Sequence, residues 1–214
     1  MSDIIFELSQ DPKLLEQYYQ LRHDNFNKTL GLTEFDGKAD VNDLTSDIFI
    51  ARVGSRCLGG VRICGRGFQG PLPLEYRAQG LIEELPQLNL SKGGYCQWMR
   101  LSLAPFGDIP YGQLYREFTL ALAVLSAELG YQYAFCVSSK THQRLYKQLF
   151  SSNNYLHFQC ETDKIRCEQD FDGLEHLLYA TKLQQRRVLA PRKTKQAQYK
   201  INSLGYSECL EVAS

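Results

Sequence analysis

The chain has 214 residues, enough to bury a substantial core as one domain, with 43% hydrophobic and 22% charged residues. No apolar run reaches the length of a bilayer span, and the first residues lack a basic region followed by a long apolar stretch, so a cytoplasmic protein without a membrane span is expected. Formal net charge is zero, and no nucleic-acid partner is expected.

Asp11-Pro12 predicts a helix start, with Asp11 as N-cap and Pro12 at the first helical position. Tyr18, Arg22 and Phe26 then recur at i, i+4 and i+8, on one face, and Gly31 ends the helix. A polar, acidic loop follows from Thr33 to about Ser46. Asp47 to Val53 reads as a strand, Gly54-Ser55 as a tight turn, and Cys57 to Cys64 as the returning strand. Gly65 to Pro73 is loop. Leu74 to Leu90 is ambiguous, with a short helix expected around Tyr76-Arg77-Ala78. Tyr95 to Leu103 is a strand stopped by Pro105. Pro110 to Gly130 carries the apolar stripe Leu114, Phe118, Ala121, Leu122, Leu125 and Leu129 of a helix. A buried strand at Tyr131 to Val137, a helix at Thr141 to Phe150, and strands at Tyr155 to Cys160 and Leu177 to Leu183 complete the pattern.

That order suits an α/β (α+β) domain with a central, mixed and mainly antiparallel sheet flanked by helices. No strand ends in GxGxxG and no P-loop is present, which disfavours a doubly wound nucleotide fold. Residues 1–180 are expected to form the domain and 181–214 a basic C-terminal extension. Seven of the 24 basic residues fall in residues 182–200 without an acid, and the remainder is net negative. Such a segment is either a solvated tail or a docking surface for an acidic partner. The 7 Cys are odd in number and show no CxxC spacing, against a disulfide framework or zinc site. His23, His142, His157 and His176 have no metal spacing either, and no metal is expected.

The ordered set Arg22, Phe26, Glu34, Asp36, Arg62 and Arg100 resembles the acyl-homoserine-lactone synthases, a family of GNAT-type N-acyltransferases. An Arg with a Phe four residues on opens that family's first helix, matched by Arg22 and Phe26; its usual Trp is replaced by Gly31-Leu32. Its acidic loop E-x-D-x-x-D is met by Glu34 and Asp36 at the first two positions, with Ala39 on the third and Asp40 one residue late. A Gly-x-Arg strand end matches Arg62. The central-strand motif E-x-x-R is met by Arg100, but Gln97 stands at its Glu. The chain also resembles the N-acyl amino acid synthases, and Gln97 and the missing Trp favour such a divergent acceptor.

The resemblance implies a GNAT-like fold and transfer of a fatty acyl group from acyl-carrier-protein or acyl-CoA to a small primary amine, with S-adenosyl-methionine as the family's acceptor. These are substrates rather than a resident cofactor, and an acidic acyl carrier protein is the implied partner. Glu34, Asp36 and Asp40 are expected to bind the amine, with Arg22 and Arg100 bracing the carboxylates and Phe26, Arg62 and Trp98 beside the acceptor. Glu34, Asp36, Gln97 and Arg100 are the catalytic expectation. Amide formation from a thioester needs a held amine and donors for the developing oxyanion. Backbone amides of Leu101, Ser102 and Leu103 are expected to supply the donors. Gly107 and Gly112 are expected to expose amides toward the donor's phosphate, and residues 182–200, or Arg66 and Arg77, to dock the carrier protein. The rivals are a polyamine or amino acid acceptor on the same fold, and a non-catalytic acyl-binding protein.

Overall fold

A computed structural model describes residues 4–65, 71–76, 85, 88, 94–161, 174 and 176–183. Among the described residues, twelve elements follow in order: β1 (Ile5–Leu8), α1 (Pro12–Leu30), α2 (Val41–Leu44), β2 (Asp47–Val53), β3 (Arg56–Gly65), α3 (Pro73–Tyr76), β4 (Tyr95–Leu103), α4 (Tyr111–Glu128), β5 (Tyr133–Ser138), α5 (Lys140–Ser152), β6 (Leu156–Gln159) and β7 (Leu177–Lys182).

The seven strands lie in one sheet in the order β1-β2-β3-β4-β5-β7-β6. Every pairing is antiparallel except β4 with β5. The mainly antiparallel sheet expected from sequence is therefore present, with its single parallel step at the centre. Strand β1 and helix α2 are additions to the expected pattern. The short helix expected around Tyr76 instead ends there, as α3. Strand β7 runs two residues beyond the expected boundary at 180, and residues 184–214, with most of the basic segment, lie outside the described residues, as do Arg66 and Arg77.

Alternation along the strands sorts the helices to two faces. Phe49, Ala51, Cys96, Trp98, Ala134 and Cys136 pack with Leu114, Phe118 and Leu122 of α4 and Tyr146 and Phe150 of α5. Ile48 and Ile50 turn the other way, onto Leu14 and Tyr18 of α1. Tyr95 and Phe135 share that second side with Leu72 and Leu74 around α3. Cys57, Cys64, Cys96, Cys136 and Cys160 are free and buried. Burial pushes the Cys57 and Cys136 thiols up to about 11, which makes them inert core residues.

The ends of α1 are set locally. The Asp11 side chain accepts from the Lys13 and Leu14 amides, and Gly31 closes the helix in the left-handed conformation at φ 70°. Where the polypeptide turns back, the loop is tied down by His23, whose Nδ1 lies 2.8 Å from the Phe35 carbonyl.

The sheet is irregular at its middle, where one residue of β3 faces two of β4: Gly60 pairs with Ser102 and Arg62 with Met99. Arg100 takes up the extra residue with φ 59°, a left-handed conformation rare for a non-glycine residue. Its carbonyl accepts from the buried Tyr18 hydroxyl at 2.8 Å. Burial pushes the Tyr18 hydroxyl well up, so it remains a donor. Gly59, at φ 138°, lets β3 approach this bulge: a Cβ there would collide with the Ser102 carbonyl.

Candidate active site

Strands β4 and β5 pair only from Tyr95↔Tyr133 to Trp98↔Cys136. Beyond that point β5 remains bonded to β7 through Val137 and Ser138, while β4 continues along β3. The two central strands therefore part at Trp98, directly before the bulge. The Ala104 amide donates to the Leu58 carbonyl at 2.8 Å. Antiparallel alternation then turns the main-chain groups of Ser102 toward β3 and those of Leu101 and Leu103 toward the gap. The Leu103 carbonyl is taken by Asn25 Nδ2 of α1 at 3.0 Å. Amides suited to an oxyanion or to a pantetheine arm thus line the β4 side of the gap.

Beside the gap lies a buried charged cluster. Arg22, on the α1 face predicted from its spacing, is 1% exposed. Its guanidinium grips Asp43 through Nη1, 3.1 and 3.0 Å from Oδ1 and Oδ2, and Nη2, 3.0 Å from Oδ2. Its other donors hold the carbonyls of Gly37, at 3.0 Å, and Lys38. Arg62, fully buried on β3, bonds Asp40 Oδ1 through Nη1, which also lies 3.3 Å from Asp43 Oδ1. Asp40 is the N-cap of α2 and Asp43 closes a capping box with it, accepting from the Asp40 amide at 2.9 Å. One buried carboxylate, Asp43, thereby joins α1, α2 and β3.

Asp40 is built differently from Asp43. Its Oδ1 accepts from the Asn42 amide at 2.8 Å, the Asp43 amide at 3.0 Å and Arg62. Its Oδ2 makes no hydrogen bond among the described residues, and the side chain is 36% exposed. Burial works to raise the Asp40 carboxyl, but the Arg62 hydrogen bond and charge outweigh it and hold the group below the usual carboxylate range. It stays ionised and presents one oxygen outward.

An aromatic group completes this wall. Phe35 is buried between two guanidiniums, Arg100 at 4.7 Å and Arg22 at 5.8 Å from its ring centre. Phe26 lies against Phe35 at 5.1 Å, with Arg100 at 5.9 Å from the Phe26 ring.

The expected bracing of Glu34 and Asp36 by Arg22 is not what forms. Glu34 and Asp36 are both exposed. Asp36 accepts from the Lys38 amide at 3.0 Å and pairs with the Lys38 ammonium at 3.5 Å, as an ordinary surface turn. Arg22 faces inward from α1, so its reach ends at Asp43. Gln97 is also otherwise engaged. It is buried, and its Oε1 accepts from the Leu74 amide at 3.0 Å, fastening the first turn of α3. Buried Glu75 accepts from the Leu72 amide at 2.8 Å beside it.

Trp98 does not reach this site. Alternation places it on the α4/α5 face, with its indole donating to Ser126 Oγ at 3.0 Å and packed against Phe150. Ser102 is buried on β4, and its hydroxyl has no partner among the described residues. Gly107, at φ 53°, sits in the turn closed by Ile109 donating to Phe106. Gly112 lies in the first turn of α4, which begins without a side-chain cap.

No protein-family model matches the chain, and no curated protein matches its sequence. Solved structures do. The acyl-homoserine-lactone synthase LasI superposes with a TM-score of 0.62 at 16% identity, over 86% of this chain and 92% of LasI. FeeM, an N-acyl amino acid synthase from uncultured soil microbes, gives 0.58 at 11% identity over 84% and 90%. BjaI, a CoA-dependent acyl-homoserine lactone synthase solved with SAM and isopentyl-CoA, gives 0.56 at 15% identity over 86% and 84%. The chain has an acyl-homoserine-lactone-synthase-like GNAT fold. A putative N-acetyltransferase from Lactobacillus plantarum, at 0.52 and 15% identity over 85% and 97%, shares the same architecture.

Within this synthase-like fold, Arg22, Phe26, Asp40, Arg62 and Arg100 come together, as sequence order suggested. Asp43 and Phe35 were not expected there. Asp43 was legible in one respect: Asp40-Val41-Asn42-Asp43 meets the last four positions of E-x-D-x-x-D, a register later than Glu34-Phe35-Asp36. Phe35 carried no signal, because its role depends on two arginines from elements far apart in sequence.

Proposed function

We propose that this protein is an N-acyltransferase that moves an acyl group from a thioester, on acyl carrier protein or CoA, to the primary amine of a small molecule. The observation that carries the reading is the parting of β4 from β5 at the Arg100 bulge, beside an ionised carboxylate with a free oxygen. The amine nitrogen attacks the thioester carbonyl carbon, the carbon–sulfur bond breaks, and an amide and a free thiol result. Leu101 and Leu103 amides face the developing oxyanion. Asp40 Oδ2 holds the incoming ammonium in place. With its carboxyl below the usual range, Asp40 is a poor base, and Gln97 cannot take a proton. The ammonium therefore gives one proton to water before the neutral nitrogen attacks, and the second proton, lost as the amide forms, ends on the departing thiolate.

S-adenosyl-methionine as acceptor would lead to an acyl-homoserine lactone, an amino acid to an N-acyl amino acid. The commitment of Gln97 to α3 favours an acceptor that does not rely on a carboxylate at that strand position. The basic residues in 182–200 offer the charge that an acidic carrier protein would meet.

Purified protein incubated with acyl-carrier-protein and acyl-CoA against a panel of amines, with thiol release followed colorimetrically and products by mass spectrometry, tests the proposal. Amine-dependent thiol release with a matching amide supports it. Donor binding without any amine-dependent release would leave the non-catalytic, acyl-binding reading in its place.

A further inference from the structure

Past Trp98, β4 has a strand neighbour on one side only, β3, and it carries an inserted residue at Arg100. The direction in which the Leu101 and Leu103 amides cross the gap therefore depends on contacts from outside the sheet as well as on β3.

Helix α1 supplies those contacts. Tyr18, Arg22 and Asn25 stand at i, i+4 and i+7, on the helix face that meets the sheet. The Tyr18 hydroxyl donates to the Arg100 carbonyl at 2.8 Å, and Asn25 Nδ2 donates to the Leu103 carbonyl at 3.0 Å. The helix thus grips β4 on both sides of Leu101 and Ser102. Arg22, between the two, is itself fixed by Asp43.

The Asn25 bond has an electrostatic consequence too. The N–H and C=O of one residue in an antiparallel strand point to the same side. The Leu103 amide therefore faces the gap together with the Leu103 carbonyl, whose partial negative charge opposes an oxyanion formed beside it. Asn25 Nδ2 occupies that carbonyl. The half-buried Asn25 side chain makes no other hydrogen bond among the described residues, so its donor is committed to this one acceptor.

We propose that Asn25 is a positioning residue for acyl transfer: it aims the Leu103 amide at the thioester carbonyl and neutralises the neighbouring carbonyl oxygen. This rests on the acyltransferase reading of the gap. Asn25 makes and breaks no covalent bond. One face of α1 then holds the donor's strand through Asn25 and the acceptor's charged cluster through Arg22, and so sets the two substrates against each other.

Two variants of the full chain test this. Asn25→Ala removes the side chain, and Asn25→Asp keeps its shape but, ionised, only accepts hydrogen bonds. In the thiol-release assay both should lower kcat roughly ten- to a hundredfold and leave KM for the amine within about twofold. A second readout needs no turnover. Ketone analogues of butanoyl to dodecanoyl donors, with CH2 in place of the thioester sulfur and 13C at the carbonyl, are bound on CoA and on acyl carrier protein. The carbonyl resonance should move downfield on binding to the unaltered chain, and by less than half as much in either variant. Unchanged kcat in either variant, full activity in Asn25→Asp alone, or equal carbonyl shifts in all three proteins overturns the proposal while the acyltransferase stands. A ketone that binds without thiol release from the true donor removes the acyltransferase, and the carbonyl shifts still decide whether Asn25 polarises the bound group. No binding of any ketone and no thiol release removes both.

Discussion

Asp43→Ala should be among the most damaging single substitutions outside the apolar core. The Asp43 side chain is 0% exposed and its partner Arg22 1%. It accepts three hydrogen bonds from Arg22 and one from the Asp40 amide, and lies 3.3 Å from Arg62. Removing one partner of a buried ion pair costs about 3–5 kcal/mol, because the charge left behind is neither solvated nor paired. Here two guanidiniums lose their shared anion, which puts the effect at the upper part of that range. For a domain of this size each kcal/mol lowers Tm by about 2–4 °C, so a fall of roughly 10–20 °C is expected. With a urea slope near ~2 kcal/mol/M the midpoint drops by about 2 M. The chain's single tryptophan, Trp98, is 4% exposed on the far face of the sheet and reports unfolding without touching the substitution. Asp43→Asn keeps an oxygen for the Asp40 amide and should lose about half as much, which secures a measurement if the alanine variant does not fold. Asp36→Ala, on the exposed turn, is the control and should leave the midpoint unchanged. A midpoint for Asp43→Ala equal to that of the control would refute the claim that this carboxylate ties α1, α2 and β3 together.

Asp40→Asn should retain the fold, since an amide oxygen can still cap α2, and should lower kcat/KM for the amine at least tenfold in the thiol-release assay; unchanged kinetics would remove Oδ2 as the ammonium ligand. Because the folded-state Asp40 carboxyl sits below its ordinary value, its contribution to stability is full above the ordinary carboxylate range and is lost as pH falls through the lowered value. His157 should make a larger acid effect. It is buried between Thr181 Oγ1, at 2.8 Å from Nδ1, and Gln143 Oε1, at 3.0 Å from Nε2, and burial lowers it from 6.5 to about 4. The unfolded chain binds the extra proton between those values, so up to ~3 kcal/mol of stability disappears as pH falls from 6.5 toward 4. Urea midpoints for His157→Gln should lack that slope. Gly59→Ala, which drives a Cβ into the Ser102 carbonyl and fixes an unfavourable φ, should abolish acyl transfer before it abolishes the folded circular-dichroism signal; full activity would disconnect the bulge from the chemistry.

Much of this protein is written in local pattern. Asp11-Pro12 and Gly31 bound α1 because capping uses only neighbouring residues. The i, i+4 row puts Arg22 one turn above Tyr18, so the face of α1 that meets the sheet is legible without coordinates. Gly54-Ser55 closes the β2–β3 hairpin, and Pro105 ends β4 two residues after Leu103. These devices also place Arg62 and Arg100 on neighbouring strands.

Tertiary structure alone decided which charges meet. Glu34, Asp36, Asp40 and Asp43 are chemically alike in the sequence, yet only Asp43 is swallowed whole and only Asp40 is left with one oxygen outward. The selection depends on how far an α1 arginine reaches across a turn, and distance through space has no local signature. The same holds for Gln97, whose amide fastens α3 from a strand more than twenty positions away. It holds too for Trp98, whose side of the sheet follows from strand alternation but whose neighbours come from α4 and α5. Short-range sterics and periodicity can be read one residue at a time; the pairing of buried charges is settled only when distant elements compete for the same few hydrogen bonds.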